Sequence, residues 1–519
     1  MVAPLYDIAV AGSGFGGSLL AMIARKLGRS VILLEKGRHP RFAIGESSTP
    51  LTNLLLHNLT TKYDLGVLTP LAKWGTWQST YPEVPCGLKR GFTFFHHTLG
   101  ATPTPDPEHS RQLLVAASPH DRIADTHWYR AEFDHLFVKE AQQVGVDYLD
   151  ELELRNVCQD SQEIKMTGLR HGDEFTVRAK FLIDATGPRG FLHRALQLGE
   201  LPLPDMPATQ ALYTHFSGVG RFADTQIEIN REEPPYPIDA AAVHHVFDGG
   251  WIWVLQFNNG VTSAGVAVTN QTAGRLSLNE GEAAWLRLLK LIPALKAQFS
   301  SAKALRPFVH ASSLSFRSSA TVGDRWVMLP SSAGFVDPLL STGFALTLLG
   351  VARLAAIIEQ DWESDRFSAK VHSAAVLSER ELIATGRLIG SLYASMGNFP
   401  VFVSLSLLYF AAVIYSETAQ RLGKPELASS FLLHDHPTFG PRCLRLFEQV
   451  HRYQGTLDSA DFYEEVIGVI APLNLAGLGD PARRNWYPVE AQDLFENAWK
   501  IGATADQISS LLQSCDFSL

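Results

Sequence analysis

Apolar positions fall into short blocks over the first part of the chain and into long periodic stretches over the last. Residues 6–11 (Tyr-Asp-Ile-Ala-Val-Ala) form a brief apolar run that ends in glycines, the pattern of a buried parallel strand. Ser18 to Leu27, rich in Ala, Leu, Ile and Met and closed by Gly28, predicts a helix. Ser30 to Leu34 predicts a second apolar strand, ending at Glu35. A strand–turn–helix–strand unit therefore opens the chain. Proline punctuates Ala101 to Ser110, which predicts a loop or lid. Ala131 to Val144 predicts an amphipathic helix, and Lys180 to Ala185 a buried strand running into Thr-Gly-Pro. Across 207–270, alternating apolar runs, many aromatics and turns such as Asp248-Gly249-Gly250 and Asn258-Asn259-Gly260 predict sheet. Phe344 to Gln360 predicts an apolar helix, and beyond about Ser368 the pattern is helical to the end. No internal repeat or low-complexity tract interrupts it.

Composition narrows the class. At 519 residues the chain has length for roughly three domain-sized units and a large core. Its 46% hydrophobic and 19% charged content is ordinary for a globular enzyme and too apolar for disorder. The net charge is −9 and no basic block occurs, so no nucleic-acid footprint is expected. Cys86, Cys158, Cys443 and Cys515 are far apart and form no CxxC pair, which argues against a disulfide framework and a cysteine-built zinc site. No HExxH or other ligand spacing points to a metal. Met1 leads directly into a core-like strand without the marks of a signal peptide. The longest apolar run, Val401 to Tyr415, is short of the ~20 residues that span a bilayer. A cytoplasmic protein without a transmembrane segment is the expectation.

The sharpest motif is Gly12-Ser13-Gly14-Phe15-Gly16-Gly17, placed between strand and helix. Its first two glycines permit a tight turn and close approach of backbone to a pyrophosphate; Gly17 lets the helix pack on the strand, and the helix-start N–H groups face the anion. Glu35, followed by Lys36, ends the next strand, where an acid accepts bonds from a ribose 2′-OH. Three further segments separate FAD from NAD. One is His39 to Ser47, containing Gly45-Glu46-Ser47, where an FAD protein places a loop near the ribityl chain. Another is the strand end at Asp184, with Thr186-Gly187, and the third is Arg130 ahead of its helix. Taken singly, each can be a cap or turn, and Asp184 alone is more often that; their order together indicates FAD.

These segments, with Gly87-Leu-Lys89-Arg90-Gly91-Phe92-Thr-Phe94, Trp251-Ile-Trp253 and Gly334-Phe-Val-Asp337-Pro338-Leu-Leu-Ser341-Thr342-Gly343, resemble the flavin-dependent halogenases, within the broader group of aromatic flavoprotein hydroxylases. The resemblance covers about residues 5–350; the helical tail matches only in character. Members acting on free phenols or pyrroles look closer than the tryptophan halogenases. The resemblance implies an α/β fold with an FAD-binding, Rossmann-like, aromatic-hydroxylase-like core. The catalytic region would be 1–366, with a substrate sheet at approximately 207–310, followed by a helical region at 367–519. It implies FAD used as FADH2, chloride or bromide as co-substrate, and a small aromatic substrate. It also implies a separate NAD(P)H-dependent flavin reductase, since no second dinucleotide fingerprint is present.

In the family, a flavin C4a-hydroperoxide is attacked by halide, and the hypohalous acid so formed needs directing. The matching lysine is Lys89. A desolvated ammonium can polarise that oxidant, and a neutral amine can carry the halogen as a haloamine. Without the other motifs, Lys89 and Arg90 read as solvated charges on a strand edge. Trp251 and Trp253, at i and i+2, face one side of a strand and either wall the flavin from the substrate or fill the core. The family's WxWxIP signature is incomplete here, continuing Val-Leu-Gln. Thr342 and Gly343, at what alone reads as an ordinary capped helix start, match the family's halide contacts. The glutamate that precedes Ser-Thr-Gly in tryptophan halogenases is Leu340 here, which argues against tryptophan as substrate. Ser331 stands where the wider group has an FAD-contacting aspartate; Asp324 either compensates or marks a plain turn, and Asp337 completes the expected cofactor set. Of the pairs His96-His97 and His244-His245, one member each can face the pocket and serve as a general base. The competing readings are an aromatic hydroxylase or isoprenoid-type reductase on this scaffold, and a non-catalytic flavin-binding protein.

Overall fold

A computed structural model describes residues 4–102, 104–225, 232–453 and 456–517. The expected sheet residues 226–231 and Pro103 of the proline-rich loop lie outside it. The opening unit is as predicted, with small shifts: strand Leu5–Ala11, helix Phe15–Lys26 and strand Val31–Leu34. The helix begins three residues early because Gly14 already serves as its N-cap, with no side-chain capping bond. Leu5–Ala11 is the centre of a parallel array that runs Trp326–Met328, Asp173–Asp184, Leu5–Ala11, Val31–Leu34, Asp147–Leu149. Ile8 to Ala11 are wholly buried, as central parallel strands must be. The strand expected at Lys180–Ala185 starts earlier, at Asp173, because its more polar first half pairs antiparallel with Ile164–Arg170.

The second layer is a nine-stranded, largely antiparallel sheet. Its centre is Thr209–Ser217, Val261–Thr269, Gly250–Gln256 and Ala242–Phe247, the region where alternation predicts strands. Gly91–His96 then joins Ala242–Phe247 in parallel, and Gln112–Ala116 follows. Proline-rich residues 101–110 form the connection between these last two strands.

Among the described residues the tail is helical apart from one short strand. Thr342–Asp361, Phe367–Ser395 and Phe399–Arg421 are its longest helices. Trp486–Tyr487 pairs with Gln112–Ala116 and closes that edge of the second sheet. A single hydrophobic core joins Ile8 and Leu33 of the first sheet to Phe402, Leu446 and Val466 of the tail. The apolar run at Val401 extends to a 23-residue helix, long enough to span a bilayer by length, but 83% of its most apolar window is buried inside the protein; the corresponding figure for Leu339–Asp361 is 61%. Both are core helices here.

Candidate active site

A cavity of about 1050 Å³ runs from the Gly12–Gly17 turn, between the two sheets, to Trp251 and Trp253. A side chain on Gly12 would strike Ala185 O at 2.3 Å, and one on Gly17 would strike Gly12 O at 2.1 Å, so the protein's own packing demands both glycines. Gly14 differs: its nearest neighbour would be Arg130 Nη2 at 3.5 Å, and the space it leaves belongs to the cavity. Beside it stand the uncapped N–H groups of a 12-residue helix and the guanidinium groups of Arg41 and Arg130. This cradle suits a pyrophosphate.

Glu35 is buried at the cavity edge, and Phe15 lines it alongside. Glu35 Oε2 accepts from Ser13 Oγ at 2.6 Å and Ser13 N at 3.2 Å, and Oε1 from Gly37 N at 2.9 Å. Burial opposes its charge, but Arg41 and these donors outweigh burial and hold the carboxyl below its usual range. Ser13 therefore anchors Glu35 and does not line the cavity. Lys36 lines it but turns its ammonium to Glu153 at 2.8 Å.

Gly45, Glu46 and Ser47 line the middle of the cavity. Glu46 is 3% exposed; its Oε1 bonds His215 Nε2 at 2.7 Å, and its Oε2 has no partner. Arg130 braces this loop. It donates to Gly45 O at 3.0 Å, grips Asp134 with two bonds of 2.8 and 2.7 Å, and lies over the ring of Phe15.

Asp184 corrects the expectation of a cofactor contact. Wholly buried, it accepts from Thr186 N, Thr186 Oγ1 and Leu192 N, and so caps the turn and helix that follow its strand. Gly187 does line the cavity, its N–H held by Ser332 Oγ at 2.9 Å, and Ser331 lines it next to Ser332. Asp324 is exposed in the turn before Trp326–Met328 and takes no part.

At the far end, Trp251 Nε1 donates to Asp337 Oδ1 and meets Tyr393 OH, each at 3.2 Å; Tyr393 OH donates to Asp337 Oδ2 at 2.9 Å. Burial pushes Asp337 up to about 6 against these donors. Trp253 Nε1 reaches Ser263 Oγ at 3.3 Å, and the two indoles lie 5.7 Å apart on one face. Both border the cavity, and both are buried. Thr342 and Gly343 also line it, at the start of the 20-residue helix. Leu340 and Ser341 just before them are left-handed, with φ 63° and 55°. That kink aims the helix start at the cavity, while the Leu340 side chain packs into the core and its carbonyl accepts from Tyr409 OH.

Lys89 is wholly buried, which excludes a solvated strand-edge charge. Gly87 lets its strand press against Gln256 O, where any side chain would come within 2.1 Å. Lys89 Nζ donates to Ser47 Oγ at 2.9 Å and Ser48 O at 2.5 Å, and lies 3.8 Å over the ring of Phe92. It meets the cavity through Ser47 and does not line it directly. Burial pushes its ammonium down to about 7, opposed by Asp125, whose own carboxyl burial pushes up. Asp125 is the register partner of Lys89 and is held by Asn53 Nδ2 at 2.8 Å. Arg90 is also buried, bonded to Ser118 O, Pro119 O and Asp121.

The histidine pairs split between faces, as alternation requires. His244 borders the cavity and His245 turns away to Phe222 and His97. His96 stacks on Phe399 and bonds Met396 O. Asp125, Asn53, Arg41, His215 and Tyr393 were not singled out by the sequence. Among the described residues no cluster of His, Cys, Asp and Glu could hold a metal ion.

The tryptophan halogenase family model matches residues 125–383. The chain is 28% identical over 485 residues to tetracycline 7-halogenase of Kitasatospora aureofaciens, covering 90% of this chain and 82% of the relative. It is 27% identical over 419 residues to monodechloroaminopyrrolnitrin halogenase PrnC of Pseudomonas fluorescens, covering 79% and 72%. The solved structure of halogenase PltM with phloroglucinol and FAD superposes with a TM-score of 0.80 at 22% identity, over 92% of this chain and 99% of that one, and shows the same fold. The chain is a relative of the flavin-dependent halogenases, enzymes of the oxidoreductase class.

Proposed function

We propose that this relative of the flavin-dependent halogenases is itself an FADH2- and O2-dependent halogenase that installs chloride or bromide on a phenol- or pyrrole-like ring. The observation that carries the reading is Lys89: an ammonium taken wholly out of water, beside a cavity whose other end is a dinucleotide cradle. Gly12 to Gly17, Glu35, Arg41 and Arg130 fit the pyrophosphate and ribose of FAD. Bound there and reduced by a separate flavin reductase, FAD supplies the oxidant that converts halide to hypohalous acid. Thr342 and Gly343 offer helix-start N–H groups to the halide. Trp251, fixed by Asp337 and Tyr393, walls off the ring end of the cavity. Lys89 receives the hypohalous acid and polarises its oxygen, so that the halogen leaves toward the substrate ring. Its placement on Phe92 and its two acceptors, Ser47 and Ser48, favour the ammonium as the working form. Mass spectrometry of mixtures of FADH2, oxygen, bromide and a panel of phenols tests the reading; absence of brominated product from every phenol and pyrrole would reject it.

Gly14→Val is expected to fold normally, because its Cβ meets nothing closer than 3.5 Å, but to lose bound flavin. A melting temperature near that of the parent, with flavin absorbance gone, is the predicted result; unchanged flavin content would contradict the cradle. Phenol is expected to outcompete free tryptophan as substrate, since Leu340 supplies no carboxylate for an indole N–H. Equal chlorination of the two in a competition assay would remove that argument.

A further inference from the structure

His244 lies on the cavity face of Ala242–Phe247, between Trp251 and the Phe92–Phe94 pair. Its ring stacks on Phe94 with centroids 4.5 Å apart and lies 5.2 Å from Trp251. Phe92 separates it from Lys89, whose ammonium rests on the other part of that aromatic surface. The polar contacts of the ring are one-sided. Nδ1 is 3.3 Å from Thr93 O, the only hydrogen bond the ring makes among the described residues. A carbonyl oxygen only accepts, so the proton of the neutral imidazole must lie on Nδ1, the nitrogen that faces Thr93 O. No N–H or O–H group among the described residues donates to the ring, so the other nitrogen carries a lone pair that no protein donor satisfies. Burial, with Lys89 adding to it, pushes the imidazolium down to about 3, so the ring is neutral at working pH.

We propose that His244 is a substrate-positioning and specificity residue: its unsatisfied ring nitrogen accepts a hydrogen bond from the hydroxyl of a phenolic substrate held in the cavity against Trp251. The proposal rests on the halogenase reading above and names the group by which the substrate is recognised. It also gives the hydroxyl proton a place to go. Ring π electrons form the new carbon–halogen bond while the O–X bond of hypohalous acid breaks, its electron pair leaving with oxygen. The hydroxyl proton passes to His244, leaving a halogenated cyclohexadienone. The ring C–H proton is then lost to the departing hydroxide, giving water, and His244 returns its proton to the oxygen, so the sum is ArH + HOX → ArX + H2O. A base of low affinity suffices, because a phenol carrying the arriving halogen is a far stronger acid than a free phenol. A weak base also releases the proton readily when the ring rearomatises.

A hydrogen-bonding site rejects an analogue that lacks the donor, because its own polar group is left unpaired. The experiment compares a phenol with its methyl ether in the parent, His244→Phe and His244→Asn proteins, all loaded with FAD. In the parent, the phenol is expected to bind at least about tenfold more tightly than the ether by calorimetric titration, and kcat/KM to follow. His244→Phe should erase the binding difference and raise the phenol KM at least about tenfold, with the ether unchanged within about twofold. Halogenation of a small 1,3-diketone trap by released hypohalous acid should be unaffected. His244→Asn, which keeps an acceptor, should restore part of the discrimination, and serves as the folding control should the Phe variant be unstable. Equal losses for phenol and ether in both variants, or no binding preference in the parent, would overturn the role. Failure of the halogenase reading would show separately, as absence of any halogenated arene or diketone from the parent, while the titrations still decide the assignment of His244.

Discussion

Lys89→Ala is expected to cut halogenated product by about 10²–10³-fold while the protein still binds FAD and consumes oxygen with FADH2. On the proposed mechanism bound FAD would supply the oxidant, and the cradle residues Gly12 to Gly17, Glu35, Arg41 and Arg130 do not touch Lys89. On that mechanism, hypohalous acid would be neither held nor polarised without the ammonium and would escape to water. Lys89→Arg should fail as well. A planar guanidinium does not fit the pocket between Ser47, Ser48 and the Phe92 face, and its fork projects differently from a compact ammonium. The decisive quantity is halogenated product per oxygen consumed, measured at equal flavin content. A ratio near the parent's in Lys89→Ala would end the directing role, even if the variant were less stable.

Asp125→Asn is expected to destabilise the protein by about 1 kcal/mol at pH 6, because Lys89, already held down to about 7 by burial, loses the carboxylate that favours its charge and must be kept neutral in the fold. The sign of the pH dependence follows from the direction of the shift. Lys89 has a folded pKa below its unfolded value, so between about 10.5 and 7 the unfolded chain binds the extra proton, and this contribution weakens stability as pH falls. Asp125 raises the Lys89 pKa, so its removal widens that window downward. At pH 9 Lys89 is already neutral in the fold, and loss of Asp125 should cost much less. Denaturant unfolding at the two pH values checks this, and a loss equal at both would show that Asp125 acts through packing alone. Lys89→Met combined with Asp125→Asn should recover much of the loss at pH 6, the non-additivity expected of coupled neighbours. In the single variant the ammonium is depleted near neutrality, so product per oxygen should rise as pH is lowered.

What the sequence made legible was what a few neighbouring residues decide. The turn of Gly12 to Gly17 and the acid at Glu35 are local devices, and the strands and helix around them form with boundaries shifted by one to three residues. Alternation in 242–269 likewise separated His244 from His245. Asp184 shows the limit of spacing: a carboxylate at the end of a central strand either reaches a ligand or caps the following turn, and only the positions of Thr186 and Leu192 decide. The Lys89–Asp125 pair had no sequence signal, because sheet register brings together residues that belong to different strands. Tyr393 was hidden for a related reason. It lies in a helix with no motif, and helix packing carries it to Asp337 and Trp251.

The two-residue strand Trp486–Tyr487 bears on how the protein comes to be made. It pairs with Gln112–Ala116, the neighbour of the strand carrying Phe92 and Phe94, and that aromatic pair packs in turn on Phe402 and Phe410. During synthesis the second sheet therefore keeps an open hydrogen-bonding edge until the ribosome has passed Tyr487, although the dinucleotide turn is complete within the first few dozen residues. At about 5–20 residues per second that interval lasts tens of seconds. An unpaired, apolar edge is a template for another chain throughout it. Nascent chains arrested before Trp486 are thus expected to self-associate more readily than chains released past Tyr487.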